Sequence, residues 1–256
     1  MRHPSNYHCY VNADKVDPMT DGLLNKRITL VSGASRGIGR ATALRFASEG
    51  AHVIAVARTQ AGLEELDDEI VSLTGENATL VPADLTDFAV IDRMGASIFE
   101  RFGRLDVLVG NAGLLPPLTP MAQISPRDWT ESIAINLTAN WRLLRSLDPL
   151  LKMSDAGRAI FLTAAMARTP SPYWGSYAVA KAGLEAMVKT YAAENRKTNI
   201  CANLIDPGPT RTALRVIAFP GEEPESLKSP EDATGGILEL ALSSCQKNGE
   251  LVELSA

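Results

Sequence analysis

Short, mostly apolar runs alternate with amphipathic stretches along most of the chain. Runs of this kind are typical of strands that are buried on both faces of a parallel sheet. Between them, apolar residues recur three and four positions apart, which predicts helices. Strands are predicted at residues 28–32, 52–57, 78–82, 105–109, 158–163, 200–205 and 250–254. Helices are predicted from a glycine-rich turn to residue 48, at 60–73, 88–102, 126–151 and 230–242, and around residue 177.

This order of elements predicts an α/β fold with one doubly wound parallel sheet of about seven strands and helices on both faces. No linker, repeat or change of composition divides residues 23–256, so we interpret them as a single domain. Residues 1–22 lack the apolar core of a signal peptide, and we predict a mobile N-terminal extension there, with Met19 as the hypothetical natural start. The Pro- and Glu-rich residues 214–230 are predicted to form a mobile flap over the substrate.

Composition and charge exclude several classes of function. The chain is 45% hydrophobic and 21% charged, which is ordinary for a globular protein, and no apolar run is long enough to span a membrane. A net charge of -5 without any run of Lys or Arg argues against a nucleic acid partner. Cys9, Cys201 and Cys245 are too scattered for a disulfide framework or a metal site, which fits a reducing compartment, and we expect the cytoplasm.

A glycine-rich turn joins the first strand to the first helix and is spaced Gly33-x-x-x-Gly37-x-Gly39. Glycines allow a tight turn and a close approach of the backbone to a pyrophosphate. The helix that follows offers free N–H groups and the positive end of its dipole to an anion. A glycine-rich turn alone is weak evidence, but the flanking strand and helix are the context that dinucleotide binding requires.

The end of the second strand indicates which dinucleotide binds. An NAD site would place Asp or Glu there to bind the ribose 2′-hydroxyl, whereas this chain reads Ala57-Arg58-Thr59. Arg58 and Arg36, which lies in the glycine turn, suit the 2′-phosphate of NADP because guanidinium groups bind phosphate with paired donors. The alternative is that both are solvated surface charges. We predict NADP, with NAD less favoured.

Polar residues at the ends of later strands are further candidates. Asp84 ends the third predicted strand and either binds an adenine amino group or caps a turn. The fourth strand ends at small residues 110–113, which let a ligand approach the backbone. Asn136 interrupts an apolar stretch of a predicted helix, where Asn is slightly unfavourable, so it either holds a water in a proton path or is a satisfied core residue.

Tyr177 and Lys181 lie one helical turn apart on one face of a predicted helix. A free Tyr titrates near ~10, and a neighbouring ammonium favours the phenolate and lowers that pKa. The pair could therefore transfer a proton. The alternative is a packed Tyr beside a solvated Lys, and only the rest of the chain can decide between the two.

Taken together and in order, these motifs resemble the classical short-chain dehydrogenase/reductase (SDR) family from about Asn25 onwards. The matches are Gly33, Gly37, Gly39, Asp84, Asn111-Ala112-Gly113, Asn136, Tyr177, Lys181, Pro207, Gly208 and Thr212. The resemblance implies a Rossmann-fold oxidoreductase that transfers a hydride between NAD(P)H and a small carbonyl or alcohol substrate, commonly as a homodimer or homotetramer.

The family also implies roles for individual residues. Tyr177 would be the acid/base, Lys181 would bind the nicotinamide ribose and lower the pKa of the Tyr, and Asn136 would anchor a water in the proton relay. Residues 111–113 would line the adenine and ribose side, and residues 207–212 would contact the nicotinamide. The cofactor-binding residues predicted in this way are Gly33, Ser35, Arg36, Gly37, Ile38, Gly39, Arg58, Asp84, Leu85, Asn111, Ala112, Gly113, Tyr177, Lys181, Pro207, Gly208 and Thr212.

One departure from the family pattern concerns the chemistry. The catalytic Ser of the family lies thirteen residues before the Tyr, and this chain has Ala164 there. Losing one such donor costs on the order of 10²–10³ in rate. Thr163 is adjacent, but alternation along the strand turns it the other way. Two hypotheses follow: an NADP-dependent enzyme of reduced activity, or a catalytically silent NADP-binding protein that acts as a sensor or assembly subunit.

The substrate leaves only a faint trace in the sequence. Met166, Tyr173, Trp174 and Phe219 suggest that part of it is apolar, although the same side chains could simply pack the flap.

Overall fold

A computed structural model describes residues 22–254, so the predicted N-terminal extension lies outside the described residues except for Gly22. Seven parallel strands form one sheet in the order β3-β2-β1-β4-β5-β6-β7. The predicted doubly wound parallel sheet is thereby confirmed. The strands are β1 (Ile28–Ser32), β2 (His52–Ala57), β3 (Thr79–Pro82), β4 (Val107–Gly110), β5 (Arg158–Leu162), β6 (Cys201–Asp206) and β7 (Leu251–Glu253).

Helices cover both faces of this sheet, and each face has its own hydrophobic core. On one face α3, α5 and α6 pack over the sheet, and on the other α1, α2 and α8 do so. The helices are α1 (Gly37–Ser48), α2 (Gln60–Thr74), α3 (Phe88–Phe102), α4 (Pro126–Ile133), α5 (Ala139–Lys152), α6 (Gly175–Glu194), α7 (Ala213–Ala218) and α8 (Thr234–Ala241). None of the helices between residues 22 and 254 is both long enough and apolar enough to cross a membrane.

The sheet order fixes where a ligand can bind. Strand β1 pairs with β2 on one side and with β4 on the other, so the connections leaving β1 and β4 run in opposite directions along the sheet. In such sheets a crevice opens outside the carboxyl ends of the strands at this switch point. The glycine turn after β1 and residues 111–113 after β4 therefore face each other.

The long helix predicted at 126–151 is not uniform. It consists of α4, a π-helical segment (Ala134–Thr138) and α5 in one continuous path. Asn136 lies in the π-helical segment, and its side-chain amide donates to the carbonyl of Ser132, four residues earlier, at 3.0 Å. Periodicity cannot reveal such a one-residue widening, because the apolar pattern continues through it.

The segment predicted as a flap is ordered into local structure. It contains α7, whose first turn is capped by the hydroxyl of Thr212 accepting from the backbone N–H of Arg215 at 3.3 Å, and a 3-10 turn (Pro224–Ser226). Arg215 also forms a two-point ion pair with Glu222, with both N–O distances at 2.6 Å. Mobility of this segment stays a prediction.

Candidate active site

A cavity of about 910 Å³ runs along the carboxyl ends of the strands. It lies at the switch point and extends from the arginines beyond β1 and β2 to the start of α6 and to α7. Of the predicted site residues, all but Gly39 and Asn136 line it: Gly33, Ser35, Arg36, Gly37, Ile38, Arg58, Asp84, Leu85, Asn111, Ala112, Gly113, Tyr177, Lys181, Pro207, Gly208 and Thr212.

The three positions of the turn require glycine for two different reasons. Gly33 and Gly37 have φ angles of +68° and +57°, which strain any residue with a side chain. At Gly39 the reason is space, because an added Cβ would lie 2.3 Å from both the Gly33 carbonyl oxygen and the Asn111 amide nitrogen. Gly39 thus shapes the turn from behind without facing the cavity.

The amino end of α1 opens into the cavity without a competing anion. Its N-cap residue, Arg36, makes no side-chain capping bond, and the first turn carries no acidic residue. Free N–H groups and the helix dipole therefore remain available to a negatively charged ligand. Together with the glycine turn and a cavity of this size, these residues fit the pyrophosphate of a dinucleotide.

Ser32 and Asn111 connect the two sides of the crevice. The Ser32 hydroxyl donates to the Val109 carbonyl at 3.2 Å and accepts from the backbone N–H groups of Asn111 and Ala112 at 3.0 and 3.1 Å. The Asn111 amide donates to the carbonyls of Ser32 and Gly33 at 2.9 and 3.2 Å. Asn111 therefore braces the glycine turn with its side chain, a role that its place after a strand did not indicate.

The charged candidates lie near the adenine end that the family pattern implies. Arg36 and Arg58 are exposed, line the cavity and form no ion pair within residues 22–254. Asp84 accepts from both the backbone N–H and the hydroxyl of Thr86 at 2.9 and 2.8 Å, and these bonds hold the pKa of its carboxyl below the usual range. The turn role of Asp84 is therefore present, and its position on the cavity leaves the adenine contact open as well.

Asn136 lies behind the cavity and is completely buried. Its amide donates to the Leu114 carbonyl at 2.8 Å and its carbonyl oxygen accepts from the Leu114 N–H at 3.1 Å. Its own backbone carbonyl accepts from Asn140 at 3.0 Å. The side chain thus fixes the segment after β4 to the π-helical segment, which matches the interpretation as a satisfied core Asn.

Tyr177 and Lys181 are both buried, and the Lys181 ammonium lies 5.7 Å from the centre of the Tyr ring. Lys181 donates to the Leu162 carbonyl at 2.8 Å. Burial lowers the pKa of Lys181 to about 8, against an opposing effect of the Asp206 carboxylate. Burial, helped by the Asp206 carboxylate, raises the pKa of Tyr177, which is opposite to the direction expected from a neighbouring ammonium.

The strand end before Ala164 has no hydroxyl that faces the cavity in place of the missing Ser. The hydroxyl of Thr163 is buried and donates to the Glu185 carboxylate at 2.9 Å. Ala164 itself is partly exposed, lines the cavity and precedes a 3-10 turn (Ala165–Ala167).

An apolar wall stands over Tyr177. Trp174 meets the Tyr ring edge-on at 5.8 Å between centroids, and it lies 5.9 Å from the ring of Phe219. Leu115 and Ala218 are buried in the same cluster, with Ala164, Met166, Trp174 and Leu214 packed against it. Sequence reasoning named Met166, Trp174 and Phe219 of this wall.

Two charged residues were missed. Asp206, the last residue of β6, lines the cavity and is 6% exposed. Arg168, which follows the 3-10 turn, bonds to Asp206 from outside the cavity at 2.5 Å. Asp206 could have been noticed as an acid at a strand end, whereas an Arg in a loop carries no signal in the sequence. Within residues 22–254, no group of three or more His, Cys, Asp or Glu side chains is placed to hold a metal ion.

Comparison with known proteins agrees with this geometry. The sequence matches the short chain dehydrogenase family model over residues 27–222. The uncharacterized oxidoreductase YciK of Escherichia coli K12 is 38% identical over 212 residues, which cover 82% of this chain and 84% of that protein.

Solved structures match over almost the whole fold. A short chain dehydrogenase from Shigella flexneri 2a, complexed with NADP, has a TM-score of 0.88 at 36% identity and covers 91% of this chain and 99% of that chain. One from Escherichia coli CFT073, complexed with NADPH, has the same TM-score and identity and covers 91% and 98%. Sequence, sheet order and cavity position therefore agree, and the protein belongs to the short-chain dehydrogenase family as an NAD(P)-dependent oxidoreductase.

Proposed function

We propose that this protein is an NADP-dependent reductase of small carbonyl compounds, or a dehydrogenase of the corresponding alcohols, that works with an alanine in place of the catalytic serine. The observation that carries the proposal is the buried Tyr177 and Lys181 pair on the wall of the cavity that the glycine turn also lines. A packed Tyr beside a solvated Lys would not bury the Lys.

The residues of the glycine turn and the amino end of α1 would hold the cofactor pyrophosphate, and residues 207–212 would face the nicotinamide. When bound, the cofactor supplies the hydride for reduction or accepts it in oxidation. In reduction, the Tyr177 hydroxyl donates its proton to the substrate oxygen, and the Lys181 ammonium stabilises the phenolate that is left. In oxidation, the phenolate takes the proton back from the alcohol.

The preference for NADP rests on Arg36 and Arg58, which follow the neighbouring strands β1 and β2, line the cavity and form no ion pair within residues 22–254. The Shigella flexneri and Escherichia coli structures that contain NADP and NADPH support it. We expect tighter binding of NADPH than of NADH, and we expect Arg58→Ala to narrow the gap by about tenfold, equivalent to ~1.4 kcal/mol.

Fluorescence titration of both nucleotides with wild type and Arg58→Ala measures this preference. Arg101→Ala on α3, away from the cavity, is the matched control and should leave both affinities unchanged. Equal affinities of the wild type for NADPH and NADH would contradict the proposal.

The substrate should have an apolar portion next to its carbonyl. Trp174 and Phe219 form a wall beside Tyr177, and Leu115 is buried in the same apolar cluster as Tyr177. A panel of aldehydes and ketones of increasing apolar size, assayed with NADPH, tests this expectation. A preference for small, strongly polar carbonyl compounds would count against it.

Ala164 favours a second candidate function, a catalytically silent NADP-binding protein that acts as a sensor or assembly subunit. The two candidates differ in what Tyr177 does. For the enzyme, we expect slow turnover in wild type, loss of that turnover in Tyr177→Phe, and a gain of up to about 10²-fold in Ala164→Ser. Ala167→Ser, three residues further on and outside this cavity, is the control and should leave the turnover unchanged.

These outcomes separate the two candidates. Turnover that disappears in Tyr177→Phe excludes the silent protein. The absence of turnover in both wild type and Ala164→Ser, with NADPH bound tightly, excludes the enzyme.

A further inference from the structure

Arg168 connects four elements next to the cavity without lining it. Its guanidinium bonds to Glu185 of α6, to Asp206 of β6 at 2.5 Å and to Glu253 of β7 at 2.7 Å. Its own segment is the turn that follows Ala164, and its backbone N–H donates to the Ala165 carbonyl at 2.9 Å. One side chain therefore ties the segment that carries Ala164 to the helix and strands around it.

Two of these carboxylates are almost completely buried. Glu185 and Asp206 are 5% and 6% exposed, whereas the Glu253 side chain is 63% exposed. Buried carboxylates remain charged only when a cation and hydrogen bonds compensate them. Arg168 is the cation that both of them share. Lys189 adds a weaker contact to Glu185 at 3.7 Å.

Asp206 connects this cluster with the reacting groups. It lines the cavity, and its negative charge acts on both Tyr177 and Lys181. Its second oxygen accepts from the backbone N–H of Gly208 at 3.0 Å, in the segment that would face the nicotinamide. A change in the charge or the position of Asp206 therefore affects Tyr177, Lys181 and the loop that contains Gly208.

The charged and titratable groups around this point come from several elements. Arg168 faces Glu185 on α6, Asp206 on β6 and Glu253 on β7, and Lys189 on α6 approaches Glu185. Tyr177 and Lys181, also on α6, lie on the cavity side of Asp206. Without Arg168, neither buried carboxylate would keep a close ion pair within residues 22–254: Glu185 would retain Lys189 at 3.7 Å, and Asp206 would retain only the charge interaction with Lys181.

We propose that Arg168 is a positioning residue for the reaction: it holds Asp206 in place and offsets part of the charge that Asp206 presents to Tyr177 and Lys181. This inference rests on the proposed function, because it assigns Tyr177 and Lys181 the proton transfer. Arg168 itself touches neither the substrate nor the cofactor site and is not a catalytic residue.

The direction of the expected effect follows from charge. An uncompensated Asp206 carboxylate favours the ammonium form of Lys181 and disfavours the phenolate of Tyr177, so it raises both pKa values. In Arg168→Met we expect the titration of Lys181 to move up by about one pH unit. In the double variant Arg168→Met with Asp206→Asn, the titration should return toward its wild-type position.

Lysine labelled with ¹³C at Cε reports this titration by NMR without any substrate, and Lys181→Met identifies the signal. The wild-type signal is expected to titrate near pH 8. Arg168→Lys, which keeps the charge, should stay close to wild type. Arg142→Met is the control: the Arg142 side chain is 24% exposed, against 26% for Arg168, and it forms an ion pair with Asp92 elsewhere. This substitution should leave the Lys181 titration unchanged.

Enzyme kinetics give the second measurement. The pH profile of kcat should shift upward in Arg168→Met by the same interval and recover in the double variant, whereas a purely structural role would lower kcat without moving the profile. An unchanged Lys181 titration in Arg168→Met overturns the proposal. If wild type has no turnover, the proposed function fails while the NMR titration still decides the electrostatic role of Arg168.

If Arg168→Met does not fold, Asp206→Asn provides a second test. Asp206→Asn removes the negative charge that acts on Lys181 and should move the Lys181 titration downward. A Lys181 titration that is the same in Asp206→Asn and wild type also overturns the proposal.

Discussion

Lys181 is a residue at which burial and chemistry oppose each other. The side chain is 4% exposed, and its one hydrogen bond is to the Leu162 carbonyl. An ammonium in such a place is unfavourable for the folded state, which is why its pKa falls from 10.5 to about 8. Below pH 8 Lys181 is protonated in both the folded and the unfolded state, so the full cost of the buried ammonium lowers the free energy of unfolding. Above pH 8 this cost decreases, and it disappears above about pH 10.5, where the unfolded chain has also lost the proton.

Replacing Lys181 by Met should therefore stabilise the protein at pH 7. We expect a gain of about 1–3 kcal/mol in the free energy of unfolding, reduced by the lost bond to Leu162, and a difference that shrinks between pH 8 and 10. Urea denaturation at several pH values measures it. Lys197→Met, at an exposed position, should have almost no effect, and a Lys181→Met protein that is less stable at pH 7 would contradict this account.

At the scale of single residues, the sequence predicted identities better than roles. Tyr177, Lys181 and Asn111 were all predicted for the site, and all three line the cavity. Burial, however, reversed the expected pKa direction for Tyr177, and no motif states how dry a site is. Asn111 and Asn136 make their bonds to backbone groups far away in the sequence, so their partners depend on the complete fold.

Among the elements, the turn from β1 into α1 makes the strictest demands on its residues. Gly39 leaves no room for a Cβ, because the nearest atoms belong to the Gly33 backbone and to the Asn111 amide. The Gly33 backbone cannot move aside without deforming the turn. Gly235, near the amino end of α8, has nothing within 4 Å of an added Cβ. The two helix-start glycines thus form a natural pair for comparison.

We expect opposite signs from the same substitution at these glycines. Gly39→Ala should lower the free energy of unfolding by about 2–4 kcal/mol because it overpacks a rigid turn. Gly235→Ala should raise it by up to about 1 kcal/mol because alanine favours the helix. Thermal and urea unfolding of both variants provide the measurement, and equal losses at the two positions would disprove the packing argument.

Regular elements were predicted well, and irregular ones were not. The strands β1 and β2 and the helix α3 lie where the spacing of apolar residues and the positions of glycines predicted them. The burial of a sheet and of one face of each helix determines this spacing of apolar residues. The π-helical segment around Asn136 and the turns in residues 214–230 depend on single hydrogen bonds and ion pairs, such as the pair between Arg215 and Glu222. Patterns of hydrophobicity do not record those.

For the whole molecule, the oligomeric state remains a prediction. A homodimer or homotetramer is expected from the family, and several large apolar side chains are partly exposed on α4, α5 and α6. Trp129, Trp141 and Val179 are 39%, 43% and 43% exposed. Light scattering after gel filtration would determine the state directly.

The junction between β1 and β4 has a consequence for how the chain folds and unfolds. The Ser32 hydroxyl and the Asn111 amide meet only when these strands, which are far apart in sequence, have paired. The nucleotide site therefore does not exist in either half of the sheet alone. We expect NADPH to slow unfolding in stopped-flow experiments while leaving the refolding rate unchanged, which would mean that the site forms only after the main folding barrier. A bound nucleotide would then slow the unfolding of the completed sheet, and its dissociation would determine how long the protein resists proteolysis and heat.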